Sequence, residues 1–435
     1  MKNSKPDKIT GLAEKKPFNK KTRNIILIIV GAVLLVALTI TAILVINHVK
    51  AVRLEKEMHE KPIKIAFYNV DTKTQDAIKK VISTEWGNLS SQFDYEFTYL
   101  DGQKPIDDYL FEDFSIGLLF SDSYTAESVS NLALKPASEV YLSMPIAVRG
   151  ITQTSIPLLL DDFEALYNIK LLNANNTSPT PSMEDMITFA TNAAGNRRFS
   201  MGCAGKDDKT LGMLISSLME SMYTSTSLEK LQKAIQNAEK SEDTSLIFDT
   251  VLEAAGNENF KAVLDKLCEW KKNGLFHPEW YSMTQQEVEY LMETDLFSVV
   301  FMPLSAHRTV AFRTIEKYTE SFFPAGRVEG KNTERNLIFS ILTGTVIKNR
   351  FDDKNAVSME LLTKFTTLEN QAQIADLTGL APVSSSAETP DRQASNARLW
   401  AAASGKPISG LDNAFSKPDA RTAFFTGLRD YLKMN

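Results

Sequence analysis

An α/β fold of more than one body, preceded by one transmembrane helix, is the class the sequence predicts, and three observations predict it. The chain has 435 residues, too many for one ordinary core and suited to one to three domains. From residue 62 onward strand-like and helix-like periodicities alternate, the order of a parallel, doubly wound sheet. Near the start stands an uncharged run of 22 residues, Ile25 to Ile46.

The composition is globular, with 43% hydrophobic, 23% charged and 9% aromatic residues, which excludes a disordered chain. Two cysteines, Cys203 and Cys268, cannot make a disulfide framework, so an apolar core has to hold the fold.

As a helix the apolar run would be about 33 Å long, matching bilayer hydrocarbon. A cleaved secretory signal is the rival, but its apolar core is usually shorter and ends on a small-x-small site. Here the run closes on "LVINHVK", and no cysteine lies near its end to accept a lipid. An uncleaved signal anchor is therefore expected. Lys2, Lys5, Lys8, Lys15, Lys16, Lys20, Lys21 and Arg23 precede it against Asp7 and Glu14, whereas Glu55, Glu57 and Glu60 interrupt the basic residues that follow. The positive-inside bias then makes residues 1–24 a cytoplasmic basic tail, 25–46 the single-pass helix and 47–61 a charged stalk ended by Pro62. Everything beyond is exported. Residues 62–435 hold 36 Lys and Arg against 49 Asp and Glu, a net charge of −13 that argues against a nucleic-acid partner.

In the exported part "PIKIAFYNVD" (62–71) alternates as a strand, and "TKTQDAIKKVISTEW" sets Ile78, Val81 and Ile82 at helical spacing. "FDYEFTYL" (93–100) and "FSIGLLF" (114–120) read as further strands. Ser182 suits a helix N-cap, with Glu184 and Asp185 in the first turn. A long helical tract runs from Lys209 to about Lys272. Phe260, Val263, Leu264, Leu267 and Cys268 make its last stripe, and Asn273-Gly274 stop it, so Cys268 reads as a core residue. "LFSVVFM" (296–302), "SFFPAGR" and "NLIFSILTGTVI" add strands. "DDKNAVSMELLTKFTTLENQAQIADLTG" is a helix pair that turns Ala356, Leu361, Leu362, Phe365 and Leu368 inward and ends at Gly379. "LWAAA" and "ARTAFFTGLRDYL" are two last helices.

Catalytic motifs find little support. His48, His59, His277 and His307 lack metal-ligand spacing, and no HExxH, GxSxG or Walker loop occurs. No cofactor is expected. "SLEK" (227–230) matches the SxxK box of acyl-enzymes, but the other boxes are missing and Ser227 suits an N-cap. Asp161-Asp162 and Asp352-Asp353 could serve a glycosidase only if aimed into a cleft at the right separation; the second pair precedes a helix and reads as N-terminal capping.

"SIPLLLDDFEALYN" (155–168) resembles the lobe crossover of the family 1 extracellular solute-binding proteins, the maltose-binding-like group that delivers sugars to ABC importers. Four later segments resemble the same family in the same order: "CEWKKNGLFHPEW", "ETDLFSVVFM", "SFFPAGR" and "LTKFTTLENQAQIADLTGLAPV". The resemblance covers roughly residues 62–390. Two features depart from it. The lipobox cysteine is absent, and "PLSAHRT" replaces the Gly-x-Trp that often follows the gate strand, which puts the usual sugar-stacking residue in doubt.

The resemblance implies a two-lobed, periplasmic-binding-protein-like fold of type II. Residues 62–160 plus 322–368 would form lobe one, and 167–318 plus 370–435 lobe two. Asp161, Asp162, Tyr167 and Asn168 would make one hinge passage, Phe323 and Pro324 a second, and residues 368–371 a third. Ligand would sit beyond the carboxyl ends of the strands. Lobe one offers Tyr68, Asn69, Asp71, Asp122 and Tyr124 there; lobe two offers Cys203, Lys206, His307 and Arg308, with Trp280 nearby. A sugar needs flat apolar faces and polar forks, and this set supplies both. Plainer readings stand beside them: Trp280 and Tyr124 as packing residues, Asp122 as a helix cap, Arg308 as a salt-bridged side chain, Cys203 as a small residue in a tight turn. The function implied is a non-enzymatic receptor on the bacterial cytoplasmic membrane. Its main domain would lie outside that membrane, closing on a sugar or oligosaccharide and passing it to ABC permease subunits. A surface sensor or structural protein on the same scaffold, or a glycoside hydrolase, are the alternatives.

Overall fold

The computed structural model describes residues 20–89, 93–141, 154–180, 182–195, 199–241, 243–323, 336–403 and 408–435. The chain divides into two compact units, Met1–Lys61 and Pro62–Asn435. In the first, one helix runs unbroken from Lys20 to Glu60. Its side chains at 20–23, 26–28, 30, 33, 36 and 37 lie outside the described residues. Among the described residues no helix is long and apolar enough to cross a membrane.

Among its described residues the second unit contains eleven strands: β1 Ile63–Tyr68, β2 Tyr95–Leu100, β3 Ile116–Ser121, β4 Ile156–Asp161, β5 Phe163–Asn168, β6 Met201–Cys203, β7 Val299–Pro303, β8 Tyr318–Phe322, β9 Leu337–Val346, β10 Ala381–Pro382 and β11 Ile408–Ser409. They form two sheets. The larger has the order β10-β4-β9-β3-β1-β2, with β11 added beside β9; the smaller has the order β6-β7-β5-β8. Each sheet with its helices is a lobe.

Lobe one is parallel only where the sequence alternates strand and helix. β1 lies between β2 and β3, with Ile65 opposite both Phe97 and Leu118. Asp71 caps the intervening helix Thr72–Glu85 by accepting from the Thr74 amide. β9 runs antiparallel to β3 and β4, and β10 antiparallel to β4, while β11 adds parallel to β9, so the sheet is mixed rather than doubly wound throughout. On one face Phe67, Phe120, Ile78, Leu362 and Phe365 share a core; on the other Ala66, Leu119, Ile106 and Leu110 share a smaller one. Ala356 and Leu368 are exposed, and Lys354, Asn355 and Ser358 take the inward positions of their helix.

In lobe two, β5 runs between β7 and β8. The long helical tract is four helices, Asp208–Met222, Ser225–Ala238, Ile247–Glu253 and Glu258–Lys272. Thr224, not Ser227, holds the N-cap position of the second; Ser227 Oγ instead accepts from Asn259 Nδ2 at 2.8 Å. Asp352 and Asp353 lie in the first turn of their helix, whose N-cap is Phe351.

The chain crosses between lobes in one residue, Asp162, between β4 and β5. Tyr167 and Asn168 are therefore not at the hinge: a strand of this length carries them about 17 Å further on. Tyr167 is fully buried against Phe189, and Asn168 caps the helix Ile169–Ala174. Phe323, after β8, packs on Phe163 and Phe301 beside the crossing. Pro324 lies outside the described residues.

The third return also comes later than expected. Residues 370–403, 408 and 409 belong with lobe one. The helix Leu368–Thr378 packs on Thr72–Glu85, and the helix Arg392–Ala403 packs on β4 and β10. Gln371 Oε1 accepts from the Val383 amide at 2.9 Å, and this folds "APV" back as β10 instead of letting it cross. From Leu411 on the chain rejoins lobe two: Leu411, Ala414 and Phe415 enter its core, and the helix Pro418–Met434 buries Phe424 and Phe425 there.

Phe120 is fully buried between Phe67 (5.6 Å between ring centres) and Phe365 (5.3 Å). Phe120→Ala is expected to destabilise residues 62–435 by about 3–5 kcal/mol in urea unfolding, the cost of an aromatic-sized cavity.

Candidate ligand-binding cleft

The carboxyl ends of β1, β3, β6 and β7 face one another across a groove with two compartments. One, of about 380 Å³, is lined by Asp71, Thr74, Leu342 and Leu380 of lobe one and by Asp207, Lys209, Gln285, Ser305, Arg308 and Thr309 of lobe two. The other, of about 610 Å³, is lined by Tyr68, Gln103, Lys104, Asp107, Tyr124 and Thr125 from lobe one and by Lys417, Asp419 and Arg421 from lobe two. Asn69 and Asp122 line both, so the compartments are adjacent.

Local sequence puts these groups there. Each strand end turns into a helix whose first amides need acceptors, and an aspartate supplies one. Asp71 accepts from Thr74 N at 3.0 Å, Asp122 from Thr125 N at 2.7 Å and Asp207 from Thr210 N at 2.7 Å. Asn69 adopts a left-handed backbone, φ 54°, which asparagine tolerates better than most residues. Opposite it Gly102 has φ 69°, and a Cβ there would run into the Asn69 carboxamide.

The two ends of the groove differ chemically. At the smaller end the polar groups bind one another. Arg308 donates to Asp71 Oδ2 at 2.7 Å, to Thr74 Oγ1 at 3.1 Å and to the Thr378 carbonyl at 2.6 Å. Burial alone would raise the Asp71 carboxyl; the Arg308 charge and the Thr74 hydrogen bonds outweigh it and hold the group below its ordinary value. At the larger end Tyr68 donates to the Lys104 carbonyl at 3.1 Å, and burial together with the Asp122 charge raises its phenol. Tyr124 is nearly buried, with the Arg421 guanidinium 5.0 Å from its ring centre. Its hydroxyl has no hydrogen-bond partner among the described residues, and burial pushes its ionisation up.

Behind the groove lies the crossing. Asp161, its side chain fully buried, accepts from Lys209 Nζ at 2.8 Å, Ser305 Oγ at 2.6 Å and Ser305 N at 2.9 Å. Next to it Glu164, inside β5, pairs with His307 Nδ1 at 2.7 Å. Burial pushes the Glu164 carboxyl up to about 7, against the pull of the His307 hydrogen bond. Burial lowers His307, and the Glu164 hydrogen bond and charge more than restore it.

Tyr68, Asn69, Asp71, Asp122, Tyr124 and Arg308 thus meet at the groove. Four other expected contacts do not reach it. Trp280 is fully buried against Phe276, 4.8 Å between ring centres, because the turn it sits in closes over the lobe-two core. Cys203 points into the same core, where burial raises its thiol. Lys206 is exposed and lines neither compartment; Lys209, three residues on and inside the helix, takes the inward position. His307 turns back to Glu164. The Asp-x-x-Thr signal of "DKT" after Asp207 was legible as a cap, and a glutamate amid the apolar residues of "FEALYN" was legible as a buried acid. Arg421 and Lys417 carried no local signal. Among the described residues no cluster of His, Cys, Asp and Glu could hold a metal ion.

No protein-family profile matches the chain, and no curated protein matches it in sequence. Solved structures do match. The binding protein msme from Bacillus subtilis subsp. subtilis strain 168, in an open conformation, superposes with a TM-score of 0.62 at 11% identity, over 86% of this chain and 93% of that one. A chitin oligosaccharide binding protein gives 0.59 at 14% identity, over 86% and 98%. The solute-binding protein RafE in complex with raffinose gives 0.58 at 10% identity, again over 86% and 98%. At these identities the likeness is one of fold. The fold is that of the two-lobed, periplasmic-binding-protein-like solute receptors, in agreement with the resemblance read from the sequence. These neighbours are binding proteins rather than enzymes.

Because Glu164 and His307 both bind protons more tightly in the folded chain than their ordinary values of 4.5 and 6.5, their contribution to stability is greatest at low pH. It is expected to fall as pH rises from 4.5 through about 7, and Glu164→Gln should flatten that slope in urea titrations of residues 62–435.

Proposed function

We propose that this chain is an exported solute-binding protein that captures a sugar or oligosaccharide by closing its two lobes and hands it to the permease of an ABC importer. The observation that carries this reading is the groove of two adjacent compartments, each lined from both lobes. It is lined by hydroxyls, carboxamides and charged forks suited to a polyol. Structural neighbours that bind raffinose and chitin oligosaccharides support the ligand class. Ligand touching both lobes would shift the population toward a closed form, and no chemical step is needed. Three of the groove's carboxylates already have structural partners. Asp71, Asp122 and Asp207 are each committed to capping a helix, and Asp71 also to Arg308.

The membrane tether belongs to the same proposal. The uncharged run 25–46 and the basic residues before it are its sequence basis. Leu34, Leu35, Leu38, Ile40, Ile43 and Leu44 are each more than half exposed around the helix Lys20–Glu60, as side chains facing lipid would be.

Two measurements test these readings. Isothermal calorimetry of residues 62–435 against maltose, raffinose, chitobiose and galactose is expected to show saturable binding of at least one; silence with all four, alongside heat from another solute class, refutes the sugar assignment. The full chain expressed in a bacterium should stay with membranes through an alkaline carbonate wash while residues 62–435 are released. Release of the full chain would remove the tether.

A further inference from the structure

The polar groups at the smaller end of the groove already have an occupant. After β7 the chain of lobe two does not turn directly into β8. Residues 304–308 form a strap laid across lobe one. Leu304 is buried in the lobe-one core, and its amide donates to the Asp162 carbonyl at 2.8 Å. The strap stays tied to lobe two by covalent continuity with β7 and by the His307–Glu164 pair. From its end Arg308 reaches Asp71 and Thr74 at the head of one lobe-one helix and the Thr378 carbonyl at the tail of another. Its side chain is only 6% exposed, although Asp71 is 45% exposed.

We propose that Arg308 is an internal occupant of the cleft: carried by lobe two, its guanidinium ties up the lobe-one acceptors at the smaller end, holds the ligand-free lobes at a binding-competent angle and so sets the affinity. This rests on the receptor reading above. A planar fork suits the task, since it reaches a carboxylate, a hydroxyl and a carbonyl in one geometry, which an ammonium cannot. The pair with half-exposed Asp71 is partly screened and is not a large source of stability; what the three contacts fix is orientation. They also divide the labour of the groove. Asp71 and Thr74 are satisfied from within, whereas the Tyr124 hydroxyl in the larger compartment has no partner among the described residues. Ligand recognition therefore falls on the larger compartment, and Arg308 acts as a positioning residue.

The test labels two exposed helix sites, Lys80→Cys in lobe one and Gln286→Cys in lobe two, and reads their separation by pulsed electron spin resonance without ligand. Arg308→Ala, checked for native circular dichroism, should lengthen and broaden the distance distribution. Added guanidinium should narrow it again, and Arg308→Lys should fall between. On a sugar that the unsubstituted protein binds, Arg308→Ala should raise Kd about 3- to 10-fold, because a smaller fraction is competent to bind. An unchanged distribution, or a broadened one with unchanged Kd, overturns the proposal. If the unsubstituted protein binds no sugar, the sugar assignment fails while the distance measurement still decides what Arg308 does.

Discussion

The buried Asp161 carboxylate is the constraint on which the two-lobed arrangement turns. It ends the last lobe-one strand before the crossing, yet its partners Lys209 and Ser305 come from lobe-two elements. A charge removed from water this completely is tolerable only while its hydrogen bonds persist. The one-residue passage at Asp162 is thus both short and pinned, and relative motion of the lobes has to be rotation about this point rather than sliding. Glu220 does similar work at another passage: its carboxylate, on a lobe-two helix, accepts from the amides of Asn336 and Leu337 where β9 begins.

The architecture was legible because it is written in local periodicity. "KIAFY" and "SIGLLF" alternate or run apolar over strand length, and aspartates stand where strands end and helices begin. Antiparallel closure of lobe one was not legible, since β9 pairs with strands about 180 to 230 residues before it and no local pattern carries such a partner. The late return of the chain was misplaced for a related reason. "GLAPV" looks like an exit, and only the Gln371 side chain, bonded to amides twelve and thirteen residues on, makes it a strand of lobe one. Within the groove, residues at strand ends were found and residues supplied from afar, such as Arg421, were missed. Trp280 shows the opposite error: an aromatic in a corner loop is as apt for a core as for a cleft, and sequence does not say which way it faces.

The groove that results is polar. Its aromatic rings are few, and those it has are engaged: Tyr124 lies beneath Arg421, and Tyr68 packs edge-on against Tyr109. Recognition built on such a surface depends on satisfied hydrogen bonds more than on stacking, and selectivity then comes from any hydroxyl that fails to find its partner.

The late placement of the helix Pro418–Met434 has a consequence for biogenesis. Phe424 and Phe425 complete a core whose first member is Tyr124, and lobe one likewise waits for β9 and β10. Neither lobe can finish before these late segments are made. Contacts of such long sequence separation close slowly, so folding of both lobes lags behind synthesis of the chain.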